Sequence, residues 1–187
     1  MNERETLDLL REKGAVLDGH FLLTSGRHSP TYVEKARIFE HPAAVERLAA
    51  EVAAWHGGVE AVVSPAVGAI PFGFAVALAA GSRFLYAERQ DGAMTLRRGF
   101  SLRAGERVLV VEDVVTTGGS AAEVAALVRD SGAELLGVAA LVDRSDGTTG
   151  LPLRALVRIE AQTYAPEECP LCRDGRPLES HGSRHLA

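Results

Sequence analysis

Glu112 and Asp113 stand side by side after four apolar residues, Val108 to Val111. They are followed at once by Val114, Val115, Thr116, Thr117, Gly118, Gly119 and Ser120. Two carboxylates suit sugar hydroxyls, or a Mg2+ ion bound to those hydroxyls. A small, hydroxylated, glycine-rich turn opening a helix suits an anion, because the first backbone N–H groups of a helix are unpaired and its dipole favours negative charge. Side chains alternate faces along a strand, so adjacent acids meet one ligand only where the strand ends, and the segment is expected to turn there. A ribose phosphate fits the combination, with the phosphate in the turn and the hydroxyls at the acids. The same residue types also serve as ordinary strand-end acids and helix caps, so the stretch by itself leaves a ligand-free strand-turn-helix open. It is not a Walker A loop, since no Gly-Lys-Ser/Thr follows, and it lacks the G-x-G-x-x-G of a dinucleotide site.

The elements that must carry these residues are readable from periodicity. Residues 3–13 repeat leucines at helical spacing and stop at Gly14, and Pro42 to about residue 56 reads as a second helix with Pro in its first turn. Short apolar strands are expected over 61–64, 83–87, 107–112, 135–142 and 153–159, with helices over 68–80 and 119–131 between them. Continuous apolar strands alternating with helices predict an α/β fold, a mostly parallel sheet covered on both faces. In such a sheet ligands bind beyond the carboxyl ends of the strands. Residues 20–39 precede the first α/β unit and read as a strand, a tight turn and a second strand near 31–34, packed outside the main sheet. Residues 88–103 are polar and carry four arginines and two glycines, which reads as a long hairpin or mobile loop. The last 25 or so residues read as an irregular tail. The expected organisation is one domain, with a hood over about 1–40, a core over about 41–160 and a tail over 161–187.

Composition narrows the function. The 187 residues are 47% hydrophobic with a net charge of −5, enough apolar content for a real core. An acidic chain without a basic stripe argues against a nucleic-acid partner. There is no run long enough for a membrane span and no apolar segment after Met1 resembling a signal peptide, so a cytoplasmic protein with reduced thiols is expected.

The string Val110 to Ser120 resembles the 5-phosphoribosyl-1-diphosphate signature of the phosphoribosyltransferases, at every position of that pattern. Three further segments resemble the orotate-specific members. Phe21 to Tyr32, with Ser25-Gly26 and Ser29, resembles their N-terminal hood. Ser64 to Pro71 resembles their pyrophosphate loop, and Leu141 to Arg144 resembles the segment whose arginine meets the orotate carboxylate. The resemblance runs in order from about residue 5 to about 150. It departs at Thr24, where many members have lysine, at Val67-Gly68-Ala69, which lacks the loop lysine, and in the polar loop, which has arginines in place of lysine and histidine. Lys35, one of only two lysines, could stand in for the hood lysine.

The resemblance implies transfer of a phosphoribosyl group to orotate with loss of diphosphate, a step of pyrimidine nucleotide synthesis, with Mg2+ arriving on the donor. It implies Glu112 and Asp113 as the catalytic acids, and Glu112 through Ser120 together with Arg89 as the donor site. Thr116 and Arg144 are expected at orotate, Arg97 and Arg98 in a closing lid, and a homodimer in which the lid reaches the neighbouring site. Arginine suits a carboxylate acceptor because it binds bidentately, although a surface pair between Arg144 and Asp143 or Asp146 is the plain alternative. A phosphoribosyltransferase for another base and a non-catalytic sensor of the sugar donor are the rival functions. In the tail, Cys169 and Cys172 precede His181 and His185 at a spacing close to a zinc pattern, with free thiols as the alternative.

Overall fold

The computed structural model describes residues 1–160 and 162–180. Helix α1 (Glu3–Glu12) starts on a capping box, Asn2 accepting from the Glu5 N–H while the Glu5 carboxylate accepts from Asn2. Strands β1 (Val16–Leu22) and β2 (His28–Val33) form an antiparallel pair. After α2 (Ala36–Phe39), α3 (Pro42–Ala53) begins with Pro in its first turn. The repeating part follows: β3 (Ala61–Pro65), α4 (Ile70–Ala80), β4 (Arg83–Gln90), β5 (Ala93–Leu96), β6 (Arg107–Val115), α5 (Gly119–Asp130), β7 (Glu134–Asp143) and β8 (Leu153–Arg158).

The main sheet has the order β5-β4-β3-β6-β7-β8 and is parallel except for the β4–β5 hairpin. This is the α/β architecture expected from the sequence. Strand β6 is central and buried on both faces, and its side chains alternate. Leu109 and Val111 pack with Leu48, Val52, Phe72 and Val76 of α3 and α4. Val108 and Val110 pack with Val124 and Val128 of α5. Two apolar faces on one strand explain why its sequence shows no polar alternation.

Two expectations, for β6 and for the tail, are corrected, and the polar loop takes the hairpin of its two readings. Strand β6 does not stop at the acids: it pairs with β7 through Val115, while its pairing with β3 ends at Val110. The acids therefore lie within a strand that has lost one neighbour, and they take opposite faces. The polar loop is ordered in its first part as the β4–β5 hairpin, turning at Asp91-Gly92, both with positive φ as a two-residue hairpin turn requires. The tail is not irregular throughout. A 3-10 turn (Pro166–Glu168), α6 (Pro170–Arg173) and β9 (Glu179–Ser180) follow, and β9 joins β1 in parallel. Residues from both ends of the chain thus build the small sheet β2-β1-β9. Arg27 fastens it further by donating to the Thr163 hydroxyl and carbonyl. Among the described residues no helix is long and apolar enough to cross a membrane.

Candidate active site

Because β6 alternates, Asp113 continues the Leu109–Val111 face and Glu112 the Val108–Val110 face. Asp113 is almost fully buried, and its Oδ2 lies 2.6 Å from Lys35 Nζ. The contact is an ion pair without hydrogen-bond alignment, while Oδ1 accepts from the Val114 N–H at 2.6 Å. Lys35 comes from the turn after β2. The β3–α4 loop completes this corner, with a cis peptide at Ala66–Val67 followed by Gly68. A Cβ on Gly68 would come within 2.5 Å of Asp113 Oδ2 and 2.7 Å of Lys35 Nζ. Glycine is what lets the loop backbone approach the pair.

Glu112 turns to the α5 side. Its carboxylate accepts from the Asp113 N–H at 3.1 Å and borders a small concavity lined also by Thr116 to Ala121. Burial, and then the charge of Asp113, push its pKa up from 4.5 to about 8. Helix α5 begins at Gly119 without a side-chain cap, and Gly118 before it holds φ at +78°. A Cβ on Gly119 would meet nothing nearer than the Thr117 hydroxyl at 3.7 Å, so the space above this helix start is open. Open space, uncapped N–H groups and hydroxyls on Thr116, Thr117 and Ser120 suit a phosphate.

Next to this turn lies a cleft of about 570 Å³, lined by Thr116, Thr117, Arg144, Ser145, Asp146, Thr148, Arg158 and Glu160. Arg144 follows β7, and its N–H donates to the Val115 carbonyl. The alternative of a surface pair with a neighbouring acid is not realised. Asp143 accepts from the Ser145 N–H and hydroxyl, and Asp146 from the Thr148 N–H and hydroxyl. The Arg144 Nε is buried without a hydrogen-bond partner among the described residues. Burial lowers the guanidinium pKa from its usual range, and the nearby Tyr32 phenol acts in the opposite direction. Burial raises the pKa of Tyr32 itself.

The arginines of the polar loop are placed differently from one another. Arg89 pairs with Glu123 at 2.7 Å and is therefore tied to α5 rather than free at the acids. Arg98 forks onto Glu88 through Nε at 2.9 Å and Nη2 at 3.0 Å. Arg97 is exposed and has no side-chain ion pair among the described residues. Cys169 and Cys172 are free thiols that meet His20 and His28 of the small sheet. His181 and His185, expected beside them, lie outside the described residues. Sequence reasoning missed His20 and His28 altogether, gave Lys35 no fixed role and did not single out Tyr32. Their partners are distant in the chain, and no local spacing reports such contacts.

The model of the phosphoribosyl transferase domain matches residues 35–151, which include the acids, the glycine turn and Arg144. The orotate phosphoribosyltransferase of Chlorobium phaeobacteroides is 47% identical over 188 residues, covering 98% of this chain and 97% of the relative. That of Pelotomaculum thermopropionicum is 49% identical over the full length of both. Among solved structures, the orotate phosphoribosyltransferase of Aeropyrum pernix superposes with a TM-score of 0.68 at 28% identity, covering 81% of this chain and 92% of that one. The chain belongs to the phosphoribosyl transferase family and, within it, to the orotate phosphoribosyltransferases.

Proposed function

We infer that the chain joins orotate to the phosphoribosyl group of 5-phosphoribosyl-1-diphosphate, releasing diphosphate and forming orotidine 5′-phosphate. The observation that carries the choice of acceptor is Arg144, a half-buried guanidinium with no carboxylate partner among the described residues, in a cleft beside the glycine turn. A buried donor without a partner is costly, and an anionic acceptor satisfies it. Orotate is such an anion, whereas adenine, hypoxanthine and uracil carry no carboxylate.

The geometry supports the following roles. The 5-phosphate occupies the uncapped start of α5, held by backbone N–H groups and by Thr116, Thr117 and Ser120. The side chains of Val114 and Val115 do not carry polar contacts there and serve to aim the turn. Asp113 holds the ribose hydroxyls on its face of β6, while Glu112, on the other face, borders the phosphate concavity. Asp113, held against Lys35, stabilises the positive charge that develops as the orotate nitrogen bonds to the anomeric carbon and the diphosphate oxygen leaves. Lys35 and the β3–α4 loop neutralise and seat the diphosphate, and Thr116 and Arg144 orient orotate. Carboxylate oxygens of this kind suit Mg2+, and the buried Asp113 Oδ2, beside Lys35 and without a hydrogen bond among the described residues, has capacity to spare. Mg2+ bound with the donor supplies charge neutralisation at the diphosphate. The β4–β5 hairpin and the following turn form the lid that excludes water, with Arg97 the cation available to reach the leaving group.

A second copy of the chain belongs to this reading. Helix α4 is apolar all round and leaves Phe74 and Leu78 57% and 75% exposed, beside a groove lined by Pro42, Val45, Pro71 and Ala75. Covering that face in a homodimer removes apolar surface from water. A cytoplasmic location fits the substrates.

The test follows orotate by its ultraviolet absorbance with the sugar donor and Mg2+, with adenine, hypoxanthine and uracil run in parallel and Arg144→Ala beside the native chain. Loss of orotate alone, abolished by the substitution, supports the reading. Turnover of another base would leave the donor site correct and Arg144 misassigned. Donor binding without turnover of any base would favour a sensor.

A further inference from the structure

Four potential metal ligands converge away from the active site. They come from three parts of the chain: His20 on β1, His28 at the start of β2, and Cys169 and Cys172 around α6. One ligand atom from each lies within 4.8 Å of every other. Cys169 Sγ is 3.5 Å and Cys172 Sγ 3.7 Å from His20 Nε2, and Cys172 Sγ is 3.3 Å from His28 Nδ1. Zinc bonds of about 2.3 Å to sulfur and 2.0–2.1 Å to nitrogen, at tetrahedral angles, separate a sulfur from a nitrogen ligand by about 3.6 Å. The three sulfur–nitrogen distances straddle that value. The two nitrogens, at 2.9 Å, need to part by a few tenths of an ångström.

The outer contacts agree with ligation. His20 Nδ1 lies 3.0 Å from the Arg176 carbonyl, which can only accept, so Nδ1 carries the proton and Nε2 presents its lone pair to the cluster. His20, His28 and Cys169 are buried, and only Cys172 is exposed, which leaves an entry path from solvent. A sulfur–nitrogen set of this composition selects zinc over the oxygen-seeking Mg2+.

We propose that His20, His28, Cys169 and Cys172 form a structural zinc site that staples the C-terminal segment to the two strands of the small sheet. Four protein ligands close the coordination shell, so the ion holds structure and does not activate water. On binding, the two thiols lose their protons to solvent and the imidazoles stay neutral; no redox step is involved. The site ties residues 149 positions apart in the chain and holds β2 in place directly upstream of Lys35. Through that strand it acts on the active site as a positioning element.

The test uses the full chain, expressed with zinc, purified under reducing conditions without chelator and analysed for metal by mass spectrometry. The expected result is about one zinc per chain. Cobalt exchanged into the site should give the thiolate charge-transfer and tetrahedral d–d absorption bands of a sulfur–nitrogen set. Cys172→Ser and His28→Asn should each weaken zinc more than the roughly 10–100-fold typical of changes outside the ligand shell. Zinc removal should lower the Tm by roughly 5–10 °C, restored by zinc and not by Mg2+. A folded native chain with no zinc and no cobalt bands would overturn the proposal. So would an intact mass two hydrogens low under the same reducing conditions, which would make the cysteines a disulfide pair. Both readouts are taken on the native chain, so misfolding of a variant does not decide them.

Discussion

Replacing Gly119 by alanine separates a phosphate site from an ordinary helix start. In the free protein the new Cβ meets only the Thr117 hydroxyl, at 3.7 Å, an ordinary contact. Gly119 does not hold a positive φ, and it is the first residue of α5. Alanine there restricts the unfolded chain and improves helix propensity, together up to about 1 kcal/mol of added stability. The phosphate reading makes the opposite demand on binding. The Cβ occupies the space through which an anion reaches the uncapped N–H groups, and each charge-assisted hydrogen bond lost costs about 1.5–3 kcal/mol. Donor affinity should therefore fall by roughly 10–150-fold while the Tm stays level or rises. Titration calorimetry with the sugar donor and a thermal melt measure the two effects on one preparation. Unchanged donor affinity would refute the assignment of the phosphate to this turn. A lowered Tm would refute the claim that the space is open.

Other substitutions probe the remaining corners. Gly68→Ala should behave differently from Gly119→Ala: its Cβ drives apart Lys35 and Asp113, and because only the exposed lysine can swing away, both stability and turnover should fall, stability by about 1–3 kcal/mol in a denaturant melt. Arg97→Ala should slow turnover without shifting the Tm, since it breaks no ion pair among the described residues, whereas Arg98→Ala breaks its fork onto Glu88 and should lower the Tm slightly. Glu112, whose pKa stands at about 8 when folded against 4.5 as the ordinary value, keeps a proton that the unfolded chain releases. Its contribution is thus fully present below about pH 4.5 and is lost as the pH rises to about 8, on the order of a few kcal/mol. Thermal melts across pH should show Glu112→Gln gaining stability over the native chain at pH 8 and losing that advantage near pH 4, and parallel curves would rule the shift out. Glu106 has the reverse sign. Burial raises its pKa, but the N–H and guanidinium of Arg103, with the charge of Arg83, outweigh that and leave it below the usual range. Glu106→Gln should destabilise the chain at neutral pH, and the difference should vanish as the pH falls through the folded-state pKa.

The main sheet was legible in the sequence because its strands are buried on both faces. Val108 to Val111 must satisfy α3 and α4 on one side and α5 on the other, which leaves an unbroken apolar run that no amphipathic helix would show. The glycine turn was legible for a related reason: the acids, hydroxyls and glycines of the proposed donor site are contiguous in the chain. What escaped was set by contacts between distant segments. The acids looked terminal because an apolar run ended at them, yet β7 goes on pairing with β6 as far as Val115 while β3 stops at Val110. The strand therefore goes on past the acids with one neighbour fewer, and Glu112 and Asp113 point to opposite faces of β6. Lys35 could be guessed as a substitute cation, but only the approach of β2 and the β3–α4 loop gives it Asp113 as a partner. The cysteines drew attention to histidines a few residues away, since zinc patterns are read along the chain. The fold supplies His20 and His28 from the opposite end, because β9 docks on β1 and carries the chain's last described residues across the small sheet. The residues proposed for the donor's phosphate are thus local in sequence, while the Lys35–Asp113 pair and the histidine–cysteine cluster of the small sheet are assembled from distant segments.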